Sequence, residues 1–295
     1  MRILNFGSLN LDNVYRVPHI LLPGETLTAS SMETFCGGKG SNQSLALARA
    51  GAEVWHAGCI GPDGEPLRRI QQEAGVHTDF LRTVERPTGS TVIQVADNAE
   101  NNIIYYPGAN HAITDAHVAE ATAAFGPGDL LLCQNEVAGV ERILRAGAAR
   151  GMTVCFNPSP ITSEVADLPL ELVNVFLVNE LEAAALAGPG DDPAGRLAAR
   201  YPGAEVVMTL GSRGVCRVKG GERITVPSFP VQAVDTTGAG DTFTGFYLCG
   251  RAAGLPPETA LRRACAAAAL AVSRMGAAVS IPTAPEVDAF LRINV

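Results

Sequence analysis

Short apolar runs alternate along the chain with longer stretches of helical periodicity, and this alternation restricts the fold more than any other feature. The apolar runs predict core strands over residues 3–7, 53–59, 130–134, 153–157, 175–178 and 205–209. The periodic stretches predict helices over residues 41–50, 66–74, 115–124, 140–149, 193–200, 240–252, 257–275 and 285–291. Strands that alternate with helices are typical of βαβ units. We therefore predict an α/β fold with a central, mostly parallel sheet flanked by helices, and a ligand site beyond the carboxyl ends of its strands.

Two segments interrupt the alternation, residues 13–36 and 88–107, in which apolar residues recur at every second position. A period of two is typical of strands with one buried face. We predict that these segments form a small antiparallel sheet outside the main one, either a lid or an interface element. No repeat or linker stands out, so residues 1–295 are interpreted as a single α/β domain that carries this lid.

Charge and composition exclude several classes of function. The chain has 22 Lys and Arg against 30 Asp and Glu, a net charge of −8, which is unsuited to binding a nucleic-acid backbone. Its longest strictly apolar run, residues 265–272, is far shorter than the roughly 20 residues that span a membrane. Seven cysteines without a C-x-x-C pair indicate reduced thiols. We therefore expect a cytoplasmic protein with no nucleic-acid or membrane partner.

Two common nucleotide-binding motifs are absent from the expected places. The first predicted strand is followed by Gly7-Ser8-Leu9-Asn10, which lacks the G-x-G-x-x-G of dinucleotide-binding folds and argues against a dehydrogenase. Gly38-Lys39 resembles the end of a P-loop, but Glu33 and Gly40 replace its first glycine and its magnesium-binding hydroxyl.

The segment from Asp235 to Gly245, D-T-T-G-A-G-D-T-F-T-G, is the strongest candidate for chemistry. A strand-like run over 224–234 precedes it and a predicted helix follows. Small residues at Gly238, Ala239 and Gly240 would leave free backbone N–H groups at the positive end of the helix dipole, an anion hole suited to phosphoryl oxygens. Asp241 would then accept a proton from an attacking hydroxyl. The alternative is that Asp241 merely caps the helix.

Two further segments offer ligand-binding groups. Gly37-Gly38-Lys39-Gly40 opens a helix, and Asn42 supplies both a donor and an acceptor for hydroxyl groups. Asn10 and Asp12 lie two residues apart, so in extended backbone both face one side, as binding of sugar hydroxyls requires. An ordinary glycine turn and an Asx turn remain the alternative interpretations.

The two glycine segments, in this order and at this separation, resemble the paired signatures of the PfkB (ribokinase) family of carbohydrate kinases. The resemblance runs from Asn10 to the Ser280-Ile281-Pro282 segment. It implies a ribokinase-like α/β fold with a small β lid, and magnesium-dependent transfer of the ATP γ-phosphoryl group to a sugar hydroxyl. Ribose is the favoured acceptor, with fructose, deoxyribose, 2-keto-3-deoxygluconate or a nucleoside as alternatives, and a silent sugar sensor as another class.

The resemblance also assigns roles residue by residue. It makes Asp241 the catalytic base and Gly238, Ala239 and Gly240 the anion hole. The residues that resemble the family's sugar-binding set are Asn10, Asp12, Gly38, Lys39, Asn42, Glu136 and Asp241. Those that resemble its ATP-binding set are Asn179, Thr209, Gly211, Ser212, Gly214, Gly240 and Cys265. Glu182 would act indirectly on magnesium, and a potassium site would involve Asp235, Thr237, Ala271, Arg274, Gly276 and Ser280.

Two points qualify this assignment. Cys265 stands where ribokinases often have a polar residue near adenine. The alternative interpretation of Lys39 is that its ammonium group is only solvated on a loop. The family also implies a homodimer formed through the lid, because an exposed apolar sheet face is an edge-pairing liability that a second subunit can cover.

Overall fold

The computed structural model of the chain describes residues 1–98 and 100–294. Its strands are β1 (Ile3–Phe6), β2 (Asn10–Val17), β3 (Ser31–Gly37), β4 (Val54–Ile60), β5 (Leu81–Thr83), β6 (Gly89–Ala96), β7 (Asn101–Tyr106), β8 (Leu130–Gln134), β9 (Thr153–Asn157), β10 (Val175–Asn179), β11 (Glu205–Thr209), β12 (Val215–Lys219) and β13 (Glu222–Val226). Its α-helices are α1 (Lys39–Arg49), α2 (Glu65–Glu73), α3 (Asp115–Ala123), α4 (Val140–Ala149), α5 (Glu180–Ala187), α6 (Pro193–Arg200), α7 (Ala239–Ala252), α8 (Pro257–Val272) and α9 (Ala284–Ile293).

The central sheet has nine strands in the order β13-β12-β11-β10-β9-β8-β1-β4-β5. The strands from β11 to β5 pair in parallel, and β12 and β13 add an antiparallel edge. All six predicted core strands are present, so the prediction of a mostly parallel sheet is confirmed. Because successive strand residues face opposite sides, Leu4 packs with the α3–α6 layer and Ile3 with the layer of α1, α7 and α8.

A separate four-stranded sheet, in the order β3-β2-β6-β7, holds both segments that interrupt the alternation. Its central pair, β2 and β6, is parallel, and both outer pairs are antiparallel. In this register Asp12 lies opposite Thr91, and Thr91 lies opposite Tyr105, so these three residues share one face. Val92 and Ile104 pair on the other face and are 39% and 63% exposed.

Strands β5 and β12 were not predicted, and two further differences from the predicted elements have a local cause. The run over 224–234 is a strand only to Val226, because Pro227 and Pro230 lack the N–H that a ladder requires. Helix α5 was not predicted, although its capping box of Asn179 and Glu182 is a recognisable start signal. Within residues 1–98 and 100–294, none of the helices has the length and apolar character needed to cross a membrane.

Candidate active site

A cavity of about 230 Å³ opens at the carboxyl ends of the central strands, where the parallel sheet was predicted to bind its ligand. Strands β9, β10 and β11 and helices α1, α5 and α7 contribute to its wall. The polar residues that line it include Lys39, Asn157, Asn179, Glu182, Thr209 and Asp241. Segments from across the chain therefore meet here.

The start of α7 forms one wall of this cavity. Gly238 precedes the helix with φ of 75°, a left-handed conformation that favours glycine, and contributes no side-chain cap. A Cβ built on Gly240 would meet no atom within 4 Å, so the backbone there is open to close approach by a ligand. Free N–H groups at a helix N-terminus form an anion site, as was predicted for Gly238, Ala239 and Gly240. The Ala239 N–H instead donates to Thr236 O at 3.3 Å, so in the described residues Gly238 and Gly240 are the members of this set that keep a free N–H.

Asp241, in the first turn of α7, is 8% exposed and is held by two side chains from α1. Asn42 Nδ2 donates to its Oδ2 at 3.1 Å, and Gln43 Nε2 donates to its Oδ1 at 2.8 Å. Burial raises the pKa of Asp241 above its ordinary value, while Lys39 and the two amides oppose that rise. The carboxylate thus contacts other elements and is more than a helix cap.

Lys39 is half-buried at the first position of α1 and lines the cavity, so it does not lie on a solvated loop. Burial alone would lower the pKa of this ammonium group. The carboxylates of Asp241, Glu136 and Glu182 outweigh burial and raise the pKa above its ordinary value. Lys39 therefore stays charged and supplies a positive group in a cavity otherwise rich in carboxylates.

Asn10, Asp12 and Glu136 gather beside this cavity, at the junction of the two sheets. Asn10 Oδ1 accepts from Asn110 Nδ2 at 2.8 Å, and Asp12 Oδ1 accepts from Thr91 Oγ1 at 2.7 Å. Burial raises the pKa of Asp12, and a Cβ built on Gly37 would lie 1.9 Å from Asp12 Oδ2. A side chain at position 37 would therefore displace the Asp12 carboxylate.

Glu136 follows β8 and accepts from the Lys39 backbone N–H at 3.1 Å and from the Ser8 hydroxyl. Burial raises the pKa of Glu136 above its ordinary value. Asn42 Oδ1 is buried without a protein partner in the described part of the chain. An unpartnered buried acceptor costs free energy unless a ligand hydroxyl donates to it.

A second cavity of about 480 Å³ adjoins the first and shares Thr209, Thr236, Gly240 and Phe243 with it. Of the predicted nucleotide-binding residues, Thr209, Gly211, Ser212, Gly214, Gly240 and Cys265 line it. Cys265 is 4% exposed, and burial raises the pKa of its thiol to about 12, so it presents a neutral sulfur. Phe229, Pro230 and Val231 add apolar side chains to its wall.

Asn179, the remaining predicted nucleotide-binding residue, and Glu182 cap α5 reciprocally. Asn179 Oδ1 accepts from the Glu182 N–H at 2.8 Å, and Glu182 Oε2 accepts from the Asn179 N–H at 2.9 Å. Both residues also line the 230 Å³ cavity. In the described residues no cluster of three carboxylate, histidine or cysteine ligands surrounds a point where a metal ion fits. A magnesium ion here would need oxygens from bound phosphates and water, which is its usual preference.

The residues predicted for potassium lie in the loop before α7, at the end of α8 and in the loop that follows α8. Asp235 Oδ1 accepts from the Thr237 N–H and Oδ2 accepts from the Gly276 N–H, each at 2.9 Å. Ala271 and Arg274 share a backbone hydrogen bond, and Ser280 is buried with its hydroxyl on Ala277 O. The contact between Asp235 and Gly276 brings the predicted residues before α7 and after α8 together.

The sequence did not single out several residues that complete the site. Gln43 contacts Asp241, Ser8 contacts Glu136, and Thr91 contacts Asp12. Tyr105 donates to Glu136 O at 3.3 Å and accepts from Asn110 Nδ2, and burial raises its pKa to about 12. Gln43 directly follows Asn42 in the segment that opens α1, and this neighbour is the one signal that could have found it.

The chain belongs to the pfkB family of carbohydrate kinases, whose family model matches residues 2–284. This class agrees with the mostly parallel sheet, the open N-terminus of α7 and the separate four-stranded sheet described above, and it makes the protein a carbohydrate kinase.

Among individual relatives, a ribokinase of Haemophilus influenzae is 38% identical and covers 97% of this chain and 96% of its own length. The structure of Arabidopsis thaliana ribokinase complexed with ribose and ATP superposes with a TM-score of 0.87 at 30% identity over 98% of both chains. A deoxyribokinase of Salmonella typhi is 28% identical over the full length of both chains.

Proposed function

We propose that this protein transfers the γ-phosphoryl group of ATP to the 5-hydroxyl of ribose, forming ribose 5-phosphate. One observation carries the proposal: Asp241 lies where the open N-terminus of α7 meets Asn42, Lys39 and the two cavities. A base at the meeting point of an anion hole and a hydroxyl-binding set is the arrangement that phosphoryl transfer to an alcohol requires.

In this mechanism Asp241 accepts the proton of the sugar hydroxyl as that oxygen attacks the γ-phosphorus. The bond between the γ-phosphorus and the bridging oxygen breaks, and ADP leaves with the electron pair. The N–H groups of Gly238 and Gly240 and the ammonium of Lys39 stabilise the negative charge on the transferring group. Asn10, Asp12 and Glu136 bind the remaining sugar hydroxyls. The four-stranded sheet of β3, β2, β6 and β7 acts as a lid sheet, and its Tyr105 helps to exclude water from the reaction.

The nucleotide would lie across the 480 Å³ cavity, with its base near Cys265 and its phosphates near Asn179, Thr209 and Gly240. Magnesium, held by the phosphates and water with Glu182 acting indirectly, would neutralise phosphate charge when bound. Potassium would be held by the loops around Asp235 and Gly276. These loops hold the segment that leads into α7.

Ribose is favoured over other acceptors because the site has many groups for hydroxyls. Asn10, Asp12, Asn42 and Glu136 together offer more hydrogen-bonding positions than a deoxy sugar uses, and an unused buried polar group costs affinity. Deoxyribose is the second candidate, since a deoxyribokinase is among the relatives.

The deciding experiment is a screen for ADP release with ribose, deoxyribose, fructose, 2-keto-3-deoxygluconate and nucleosides, each with and without potassium. We expect the highest kcat/KM for ribose and a higher rate with potassium than with sodium. A nucleoside or fructose as the best acceptor would contradict the choice of ribose, and ADP release from none of them would favour a sugar sensor.

Replacing Asp12 by alanine is expected to raise the KM for ribose on the order of 100-fold while the KM for ATP stays within threefold. The physical reason is that the Asp12 carboxylate lies beside Gly37 and is not among the residues that line the nucleotide cavity. Steady-state kinetics with each substrate varied in turn make the measurement. A change confined to the KM for ATP would remove Asp12 from the sugar site.

We also infer that two copies associate through the lid sheet, because Val92 and Ile104 expose apolar surface on the face opposite Asp12. Light scattering is expected to give about twice the chain mass of 30.7 kDa. Ile104→Glu should halve that mass and weaken sugar binding, whereas Leu181→Glu, on an exposed position of α5, should do neither. A wild-type mass near 31 kDa would contradict the dimer.

A cytoplasmic location completes the proposal. In the described residues all seven cysteines are free thiols, and five of them are buried. Reduced cysteines are typical of the cytoplasm, which also holds the ATP that the reaction needs.

A further inference from the structure

A chain of buried polar side chains runs from Asp241 into the core beneath the active site. It begins with Gln43, Gln134 and Asn5, which are fully buried, and ends with Ser44 and His56, also fully buried. None of these residues has a role in the mechanism above. Buried polar groups cost free energy unless they are hydrogen-bonded, so a network of five needs an explanation.

At the end of the network farthest from Asp241, the donor and acceptor roles of the His56 ring nitrogens are fixed by their partners. Burial lowers the pKa of His56 to about 4, so its imidazole is neutral. Its Nε2 lies 3.1 Å from Gly7 O, which can only accept, and therefore carries the proton. Nδ1 must then accept, and it does so from the Ser44 hydroxyl at 2.8 Å.

The same logic fixes the amides between His56 and the active site. Asn5 Nδ2 donates to Gly40 O and to Ser44 Oγ, both at 2.8 Å. Asn5 Oδ1 therefore accepts, and its donor is Gln134 Nε2 at 2.9 Å. The same Gln134 Nε2 donates to Gln43 Oε1 at 2.7 Å.

Asn157 fixes the other side of Gln43. Its Nδ2 donates to Leu177 O at 2.8 Å, so its Oδ1 faces Gln43 as an acceptor. Gln43 Nε2 donates to that oxygen at 3.0 Å and to Asp241 Oδ1 at 2.8 Å. A flipped Gln43 amide would oppose oxygen to oxygen at both contacts and lose the bond from Gln134. Neighbours on two sides thus impose one orientation on this side chain.

We propose that Gln43 is a positioning residue, whose amide is oriented by Gln134 and Asn157 so that it fixes the Asp241 carboxylate and stabilises its anionic form. The proposal rests on the proposed function, in which Asp241 is the base. An amide N–H donated to a carboxylate favours the charged form, which is the form that accepts a proton. The other charged groups around Asp241 are Lys39 on α1, Glu136 after β8 and Glu182 on α5.

The test is the pH profile of kcat/KM for Gln43→Met, which keeps the length of the side chain and removes the amide. A base must be deprotonated, so the rate rises with pH through the pKa of Asp241. Loss of a donor raises that pKa, and the acidic limb is expected to move upward by about one pH unit. At neutral pH kcat should fall on the order of 10-fold, while the KM for ribose stays within threefold.

Gln71→Met is the matched control. Gln71 is also fully buried and also donates to α1, through Ser41 O and Ser41 Oγ, but it does not contact Asp241. We expect it to lower the melting temperature as Gln43→Met does and to leave the acidic limb in place. A purely structural role for Gln43 would make the two variants behave alike.

The other possible results with these variants either support the positioning role of Gln43 or overturn it. A folded Gln43→Met with the wild-type acidic limb overturns the proposal. If Gln43→Met does not fold, Gln134→Met decides: a smaller upward shift of the limb supports the proposal, and an unshifted limb overturns it. Asp241→Asn is measured in parallel. Near wild-type activity in that variant would remove the base assignment of the proposed function, and this inference with it.

Discussion

Asp241→Asn is expected to lower kcat by a factor on the order of 10² or more, with ribose and ATP binding nearly unchanged. Asparagine keeps the shape of the side chain but cannot accept the proton of the attacking hydroxyl. In the wild type, Asn42 and Gln43 each donate an N–H to one carboxylate oxygen of Asp241. The asparagine amide replaces one of these oxygens by an NH₂ group, which then faces an N–H donor. Steady-state kinetics and equilibrium binding of each substrate make the measurement.

Asp129→Asn is the control for a general effect of losing an aspartate. Asp129 is 8% exposed and pairs with Arg2 just before β8, at the opposite end of the sheet from the cavities. This variant should lose some stability and keep the wild-type kcat. If Asp241→Asn worked within a few-fold of the wild-type rate, Asp241 would have no role as a base.

Gly40→Ala is expected to lower the free energy of unfolding by about 3 kcal/mol, at the upper end of the usual cost of overpacking. A Cβ on Gly40 would lie 2.3 Å from Gly7 Cα and 2.4 Å from both Gly7 C and Ser8 N. These are backbone atoms of the segment that follows β1, so no side chain can rotate away. Either α1 or β1 must move, and Asn42 and Gln43 move with α1.

Urea unfolding followed by circular dichroism measures this change. Gly203→Ala is the matched control, because a Cβ there meets no atom within 4 Å, and its effect should stay within about 0.5 kcal/mol. Equal unfolding midpoints for Gly40→Ala and the wild type would contradict the close contact between α1 and the end of β1.

Much of the fold was predictable because its signals are local. The apolar pattern of residues 130–134 and the helical periodicity of residues 193–200 can be recognised without the rest of the chain. The structure has β8 and α6 with these bounds. Predictions failed where a short-range signal was overlooked or overridden. The Asn179–Glu182 capping box was interpreted only as a ligand motif, and two prolines end the strand that was extended to residue 234.

The sequence by itself determined the α/β class, the separate lid strands and the two glycine segments that identify the family. Only the tertiary structure decided which side chains support the site. Asn42 and Gln43 reach Asp241 across 199 and 198 positions, and Ser8 reaches Glu136 across 128. The reason is physical: these contacts depend on how α1 and α7 pack against the sheet. That packing is set by the shapes of many buried side chains at once, and no local pattern of residues encodes it.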